Sequence, residues 1–152
     1  MAIWQFDVDF RSNETGVRRS TAEDRGSGAG RKGMFQRDDA DLLRVIDGML
    51  VRRKSWSENL VLWGEENGNR IDIFLEEGKI ANVNARIDLR QPSVAFLELL
   101  LKIARYCGAH FRTEDELDIP AEKERILEAI RHSEAFRFVS DPQRFFEELK
   151  SK

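Results

Sequence analysis

The chain has 152 residues, with 28 acidic and 25 basic side chains and a net charge of −3 at pH 7. Hydrophobic residues make up 41%, which excludes wholesale disorder and suffices for one buried core at this length. The near balance of charge argues against a polyanion-binding protein, so no nucleic acid is expected as a partner.

The first predicted element is a strand over residues 3–10. Apolar and polar side chains alternate along it, which is typical of a strand with one buried and one solvated side. The solvated side carries Gln5, Asp7 and Asp9.

Residues 11–37 have no hydrophobic periodicity and are rich in Gly, Ser, Arg and Asp, so we predict a flexible loop. The loop contains a G-x-G-x-x-G match at Gly28-Ala-Gly30-Arg-Lys-Gly33. That pattern holds a pyrophosphate only when a buried strand precedes it and a helix opens at the glycines. Residues 18–25 are hydrophilic and aperiodic, so no cofactor is expected here.

A helix is predicted over residues 39–53, with acidic residues in its first turn and basic residues in its last. Three strands follow, at Leu60–Trp63, Arg70–Leu75 and Lys79–Leu89. Short connections containing Gly and Asn separate them, as in an antiparallel meander.

Residues 93–107 are apolar almost all round, which predicts a central buried helix. A further short strand is expected at Ala109–Arg112, and helices at 121–132 and 142–150. The chain is therefore predicted to be a single α+β domain over residues 1–152. Its antiparallel sheet should have four or five strands, with about four helices mainly on one face.

The sequence offers weak candidates for metal binding or catalysis. His110 and His132 have no second ligand at a metal-binding spacing, and no G-x-S-x-G nucleophile motif is present. We expect His110 to be a hydrogen-bonded packing residue and Cys107, the single cysteine, to be a buried thiol. No catalytic, cofactor-binding or metal-binding residue is assigned.

The best candidate for function is the polar face of the predicted sheet. Between Lys79 and Arg90 every second residue is polar, and the polar sides of the other strands should join them. Phe74 is an aromatic residue among the charged residues of this face, which resembles the hot spot and polar rim of a protein interface. A loop that covers the Phe74 ring would account for its position equally well. The predicted partner-binding residues are Asp7, Asp9, Asp72, Phe74, Asn82, Asn84, Arg86, Asp88 and Arg90.

Two other interpretations stay open. The face could belong to a small-ligand-binding protein or enzyme in which Arg86 and Arg90 hold an anionic group and one of Asp7, Asp9 or Asp88 acts as a base. Alternatively, a sheet edge or the apolar Trp63 face could form a homodimer.

No signal peptide is recognisable at the start of the chain, and no stretch of about 18 apolar residues could span a membrane. We therefore expect a cytoplasmic protein that does not act at a membrane.

Several segments between residues 55 and 146 resemble a family of uncharacterised small bacterial proteins, similar to the immunity proteins encoded beside polymorphic or contact-dependent toxins. The segments are Ser55-Trp-Ser57, Leu62-Trp-Gly64, Gly68-Asn-Arg-Ile-Asp-Ile73, Gly78-Lys-Ile80, Arg86-Ile-Asp-Leu-Arg90, and Ser133-Glu-Ala-Phe-Arg-Phe138 with Asp141-Pro142. The resemblance implies a bacterial protein that binds and neutralises a toxin, and it does not cover the loop at 11–37.

Overall fold

The computed structural model describes residues 2–13 and 39–141. Within them the chain forms seven strands and four helices. The strands are β1 (Gln5–Ser12), β2 (Arg52–Arg53), β3 (Leu60–Gly64), β4 (Arg70–Glu76), β5 (Lys79–Asp88), β6 (Ala109–Thr113) and β7 (Asp118–Ile119). The helices are α1 (Asp39–Asp47), α2 (Val94–Cys107), α3 (Lys123–Arg131) and α4 (Glu134–Ser140).

All seven strands belong to one antiparallel sheet, in the order β2-β3-β4-β5-β1-β6-β7. The α+β class and the antiparallel sheet are therefore confirmed. The five longer strands lie where strands were predicted, and the two-residue strands β2 and β7 raise the number above the four or five expected. The first strand of the chain, β1, lies between β5 and β6, near the middle of the sheet.

One face of the sheet forms the hydrophobic core together with the helices. α2 contributes most to it through one side of the helix. The buried side chains are Phe96, Leu97, Leu99, Leu100, Leu101, Ile103 and Ala104. The opposite side, with Val94, Ala95, Glu98, Lys102 and Arg105, is exposed, so the prediction of a helix buried almost all round is wrong. The helix begins after Ser93, whose Oγ accepts a hydrogen bond from the Phe96 amide at 3.1 Å. It ends at Gly108, which adopts the left-handed conformation and returns the chain to β6. The strand residues of the core include Phe6, Val8, Phe10, Val61, Trp63, Ile71, Ile73, Val83, Ala85, Ile87 and Phe111.

The predicted helix at 39–53 is wrong in its second half. α1 ends at Asp47, and Arg52 and Arg53 form β2 instead. The cause is a set of long-range contacts. Asp47 accepts hydrogen bonds from the Trp63 indole at 2.8 Å and from Arg52 at 2.9 and 3.0 Å, and Arg52 lies opposite Trp63 in the sheet. These contacts stabilise a strand where local sequence favours a helix.

Other boundaries also differ from the prediction. β1 continues to Ser12, so the predicted loop at 11–37 does not begin at Arg11. α4 was not predicted, although Ser133 caps it by accepting a hydrogen bond from the Phe136 amide at 3.1 Å. Most of the predicted loop, its glycine motif and the predicted helix at 142–150 lie outside the described residues. Among residues 2–13 and 39–141, no helix has the length and apolarity that a membrane crossing requires.

Candidate functional site

A groove of about 400 Å³ lies on the polar face of the sheet, above β1, β4, β5 and β6. We call it the sheet groove. Its charged and amide side chains are Asp7, Asp9, Arg11, Arg70, Asp72, Asn84, Arg86, Arg112, Glu114 and Glu116. The groove is partly open to solvent, so part of any occupant would stay exposed.

The register of the sheet brings these side chains together. Asp7 on β1 lies opposite Arg86 on β5, which lies opposite Arg70 on β4. In the neighbouring row, Asp9 lies opposite Asn84 on one side and Arg112 on the other. Because side chains alternate between the two faces of each strand, both rows point away from the core.

The two central ion pairs are bidentate. Arg86 donates from Nε and Nη2 to the two carboxylate oxygens of Asp7, at 3.0 and 3.4 Å. Arg70 donates in the same way to Asp72, at 3.1 and 2.8 Å. The hydrogen bond and charge of Asp72 raise the pKa of Arg70 above its ordinary value. Paired N–H groups of this kind hold both partners in a defined geometry.

The other two arginines of the groove are also bound to carboxylates. Arg112 donates to Asp118 on β7 at 2.8 and 3.3 Å, and Arg11 forms an ion pair with Asp9 Oδ2 at 3.0 Å. Each guanidinium group that lines the groove therefore already has an acidic partner. An anionic ligand would have to compete with those carboxylates.

Two acidic groups in the groove, Asp9 and Glu114, have too few favourable contacts to offset the effect of burial on their charge. Asp9 Oδ1 is buried and has no hydrogen-bond partner among the described residues. Burial raises the pKa of Asp9, and the nearby charges of Arg11 and Arg112 only partly oppose this effect. Burial also raises the pKa of Glu114, and the carboxylates of Asp7 and Asp115 add to that rise.

Five of the nine predicted partner-binding residues line this groove. They are Asp7, Asp9, Asp72, Asn84 and Arg86. Phe74 and Asn82 are partly exposed and lie opposite each other on β4 and β5, outside the groove lining.

Asp88 and Arg90 form a separate cluster at the end of β5. Asp88 is buried, with 4% of its surface exposed, because Arg90 folds back and donates from Nε, Nη2 and its backbone amide at 2.9–3.0 Å. The Arg90 guanidinium also lies 4.1 Å from the centre of the Trp4 ring. Asp88 is therefore not available as part of a contact surface, contrary to the prediction from alternation alone.

Five groove residues were missed by the sequence analysis: Arg11, Arg70, Arg112, Glu114 and Glu116. The alternation of β4 already placed Arg70 on the same side as Asp72, so this residue could have been found. Arg11 continues the alternation of Asp7 and Asp9 and was missed because the first strand was predicted to end at residue 10. Arg112, Glu114 and Glu116 depend on β6 lying next to β1, which no local pattern indicates.

The remaining candidates have structural roles. His110 contacts the side chains of Asn13 and Asp118 at 2.8 and 3.3 Å, which confirms it as a hydrogen-bonded residue. Within the described part of the chain, no group of His, Cys, Asp or Glu is arranged to hold a metal ion. Trp63 is fully buried, so its own side chain is not exposed for the alternative of a homodimer through the Trp63 face. Association through a sheet edge stays a prediction.

No protein-family model, curated protein or solved structure matches this chain. The resemblance to toxin-neutralising immunity proteins therefore stays a prediction.

Proposed function

We propose that the protein is a non-enzymatic binding module that docks another protein in the sheet groove. The observation that carries this proposal is a pair of bidentate ion pairs: Arg86 with Asp7, across β5 and β1, and Arg70 with Asp72, within β4. They present both signs of charge at defined positions on the central strands. Such a pattern selects a complementary partner and its orientation more than it adds raw affinity.

A toxin-neutralising role is the form of this function that we favour, because it agrees with the resemblance of residues 55–146 to immunity proteins. An inhibitor of this kind needs a rigid surface that recognises one partner. The groove meets that need since its two central ion pairs, Arg86 with Asp7 and Arg70 with Asp72, belong to central strands and are held by bidentate hydrogen bonds.

A small-ligand-binding protein or enzyme is the second candidate. The observations that favour it are the concave shape of the groove and the raised pKa of Asp9, which partial burial produces. In such a protein Asp9 would serve as the base. The engagement of Arg86 with Asp7 and of Arg90 with Asp88 weighs against the anion-holding role first considered for these arginines.

Reversing the central ion pair tests the proposal. We compare the wild type, Arg86→Asp, and the double variant Asp7→Arg/Arg86→Asp. The single variant places two carboxylates opposite each other, so it should lose both stability and binding. The double variant restores an ion pair within the protein but exchanges the two charges. It should therefore regain most of the stability and still fail to bind.

Stability is measured by urea unfolding. Binding is measured by affinity capture from a lysate of the source cells, followed by titration of the purified captured protein. Lys102→Asp, on the exposed side of α2, is the matched control and should bind like the wild type. Wild-type affinity in the double variant would show that the groove is not the contact surface.

A further inference from the structure

Among the described residues, the groups of the sheet groove that remain available to a partner are acidic. Its four arginines are each bound to a carboxylate, as described above. In contrast, among residues 2–13 and 39–141, Asp9 Oδ1 has no hydrogen-bond partner and neither Glu114 nor Glu116 forms an ion pair. The unsatisfied groups of the groove therefore accept hydrogen bonds and carry negative charge.

Asp9 is the best placed of these groups. It lies near the middle of the groove, between Asn84 on β5 and Arg112 on β6. Its side chain is only 27% exposed, and one oxygen is already occupied by Arg11. A buried acceptor without a donor destabilises a protein, so an incoming N–H group would gain a hydrogen bond that the free protein lacks.

We infer that the protein partner places an arginine or lysine side chain in the sheet groove, where it donates to Asp9 and is balanced by Glu114 and Glu116. The inference rests on the proposed function, since it names what the docked protein presents. Arginine suits the position best, because its planar guanidinium can bind two acceptors at once. Arg11, whose side chain is 44% exposed, is the group that can turn into solvent and make room.

The test uses capped synthetic pentapeptides as probes, with the sequence Gly-Ser-X-Ser-Gly. X is arginine, lysine, the neutral arginine isostere citrulline, or aspartate. Binding is followed by the backbone amide NMR signals of the 15N-labelled full chain. We expect saturable shifts at Asp9, Asn84 and Arg112 with the arginine peptide, and about tenfold weaker binding of the citrulline peptide.

Asp9→Asn should abolish the preference for arginine over citrulline, because it keeps the size of the side chain and removes its charge. Glu114→Gln is a second variant and should weaken the arginine peptide about two- to fivefold. The control Asp41→Asn, an exposed acid on α1, should leave binding unchanged.

The inference is overturned if the arginine and citrulline peptides bind equally, if the aspartate peptide binds at least as well, or if Asp9→Asn keeps the arginine preference. Those results would leave the protein-binding proposal intact, provided that the charge exchange at Asp7 and Arg86 still abolishes capture. The reverse case is also separable. Arginine-dependent binding at Asp9 without any captured protein would support the groove chemistry and reject the protein partner.

Discussion

Replacing Asp88 with asparagine tests how much a buried ion pair at the end of β5 stabilises the fold. The Asp88 side chain is 5% exposed and accepts three hydrogen bonds from Arg90, at 2.9, 3.0 and 3.0 Å. Asparagine has nearly the same shape but lacks the charge and one acceptor oxygen. The change therefore removes interactions without opening a cavity.

The expected loss follows from the exposure of the two partners. Losing a hydrogen bond to a charged group costs about 1.5–3 kcal/mol. Breaking a buried ion pair costs about 3–5 kcal/mol when the remaining charge is stranded without water. Arg90 is 45% exposed, so its guanidinium regains water after the substitution. We therefore expect Asp88→Asn to lower the free energy of unfolding by about 1.5–2 kcal/mol at pH 7.

The pH dependence provides a second measurement. Burial acts to raise the pKa of Asp88, but the hydrogen bonds and charge of Arg90 outweigh it and hold the pKa below the ordinary value of 3.8. Because the folded pKa is the lower one, ionised Asp88 stabilises the fold above that ordinary value. The stabilisation is lost as pH falls through the folded pKa. The difference between wild type and Asp88→Asn should thus shrink in acid.

Urea unfolding at a series of pH values, followed by tryptophan fluorescence, measures both effects. Asp118→Asn is the matched control, since Asp118 accepts the same two guanidinium nitrogens from Arg112 but is 52% exposed. It should cost clearly less than Asp88→Asn. Equal losses at the two positions, or a difference from wild type that does not fall in acid, would refute the reasoning from burial.

Three further predictions concern other positions. Trp63→Phe should lower the free energy of unfolding, measured in urea, by about 2–3 kcal/mol, because it removes core volume and the indole hydrogen bond to Asp47. Trp56 is exposed, so Trp56→Phe should lower it by less than about 0.5 kcal/mol. Similar losses for the two tryptophans would contradict this. Gly64→Ala should lower the free energy of unfolding by about 3 kcal/mol or more, since φ at Gly64 is +90° and the added Cβ would lie 2.1 Å from the Asn69 backbone oxygen. Gly108→Ala should lower it by only about 1 kcal/mol, because no atom lies within 4 Å of the added Cβ. The order of their thermal midpoints tests this pair. Asp9→Asn should not lower the melting temperature at pH 7. The raised pKa of Asp9 means that its ionised form destabilises the fold at this pH, and the destabilisation weakens as pH falls and Asp9 takes up a proton. A clearly lower melting temperature for Asp9→Asn would show instead that ionised Asp9 stabilises the fold.

Elements with a strong local pattern were predicted from sequence. The alternation along β5 indicates which side of the strand is buried, and the apolar run of α2 indicates a helix of the core, whatever the neighbours are. The second half of the helix predicted at 39–53 failed because its competitor is not local. Arg52 and Trp63 both bind Asp47, and only the folded sheet brings the three residues together.

The residues of the candidate site also fall into those that a local pattern predicts and those that only distant contacts bring together. Alternation placed Asp7, Asp72 and Arg86 correctly on the polar face. It could not show that Arg90 covers Asp88, because that contact depends on a turn after the strand. Nor could it show that β6 lies beside β1 and adds Arg112 to the groove.

The sequence by itself determined the class of the fold, the apolar side of β1, β4 and β5, and the polar face of the sheet. These properties follow from the period of the side chains along one element. Only the tertiary structure decided the strand order, and with it the pairing of Asp7 with Arg86 across 79 positions of the chain. It also decided which acids lack a partner in the described part of the chain, because hydrogen-bond satisfaction and burial depend on neighbours that are distant in sequence.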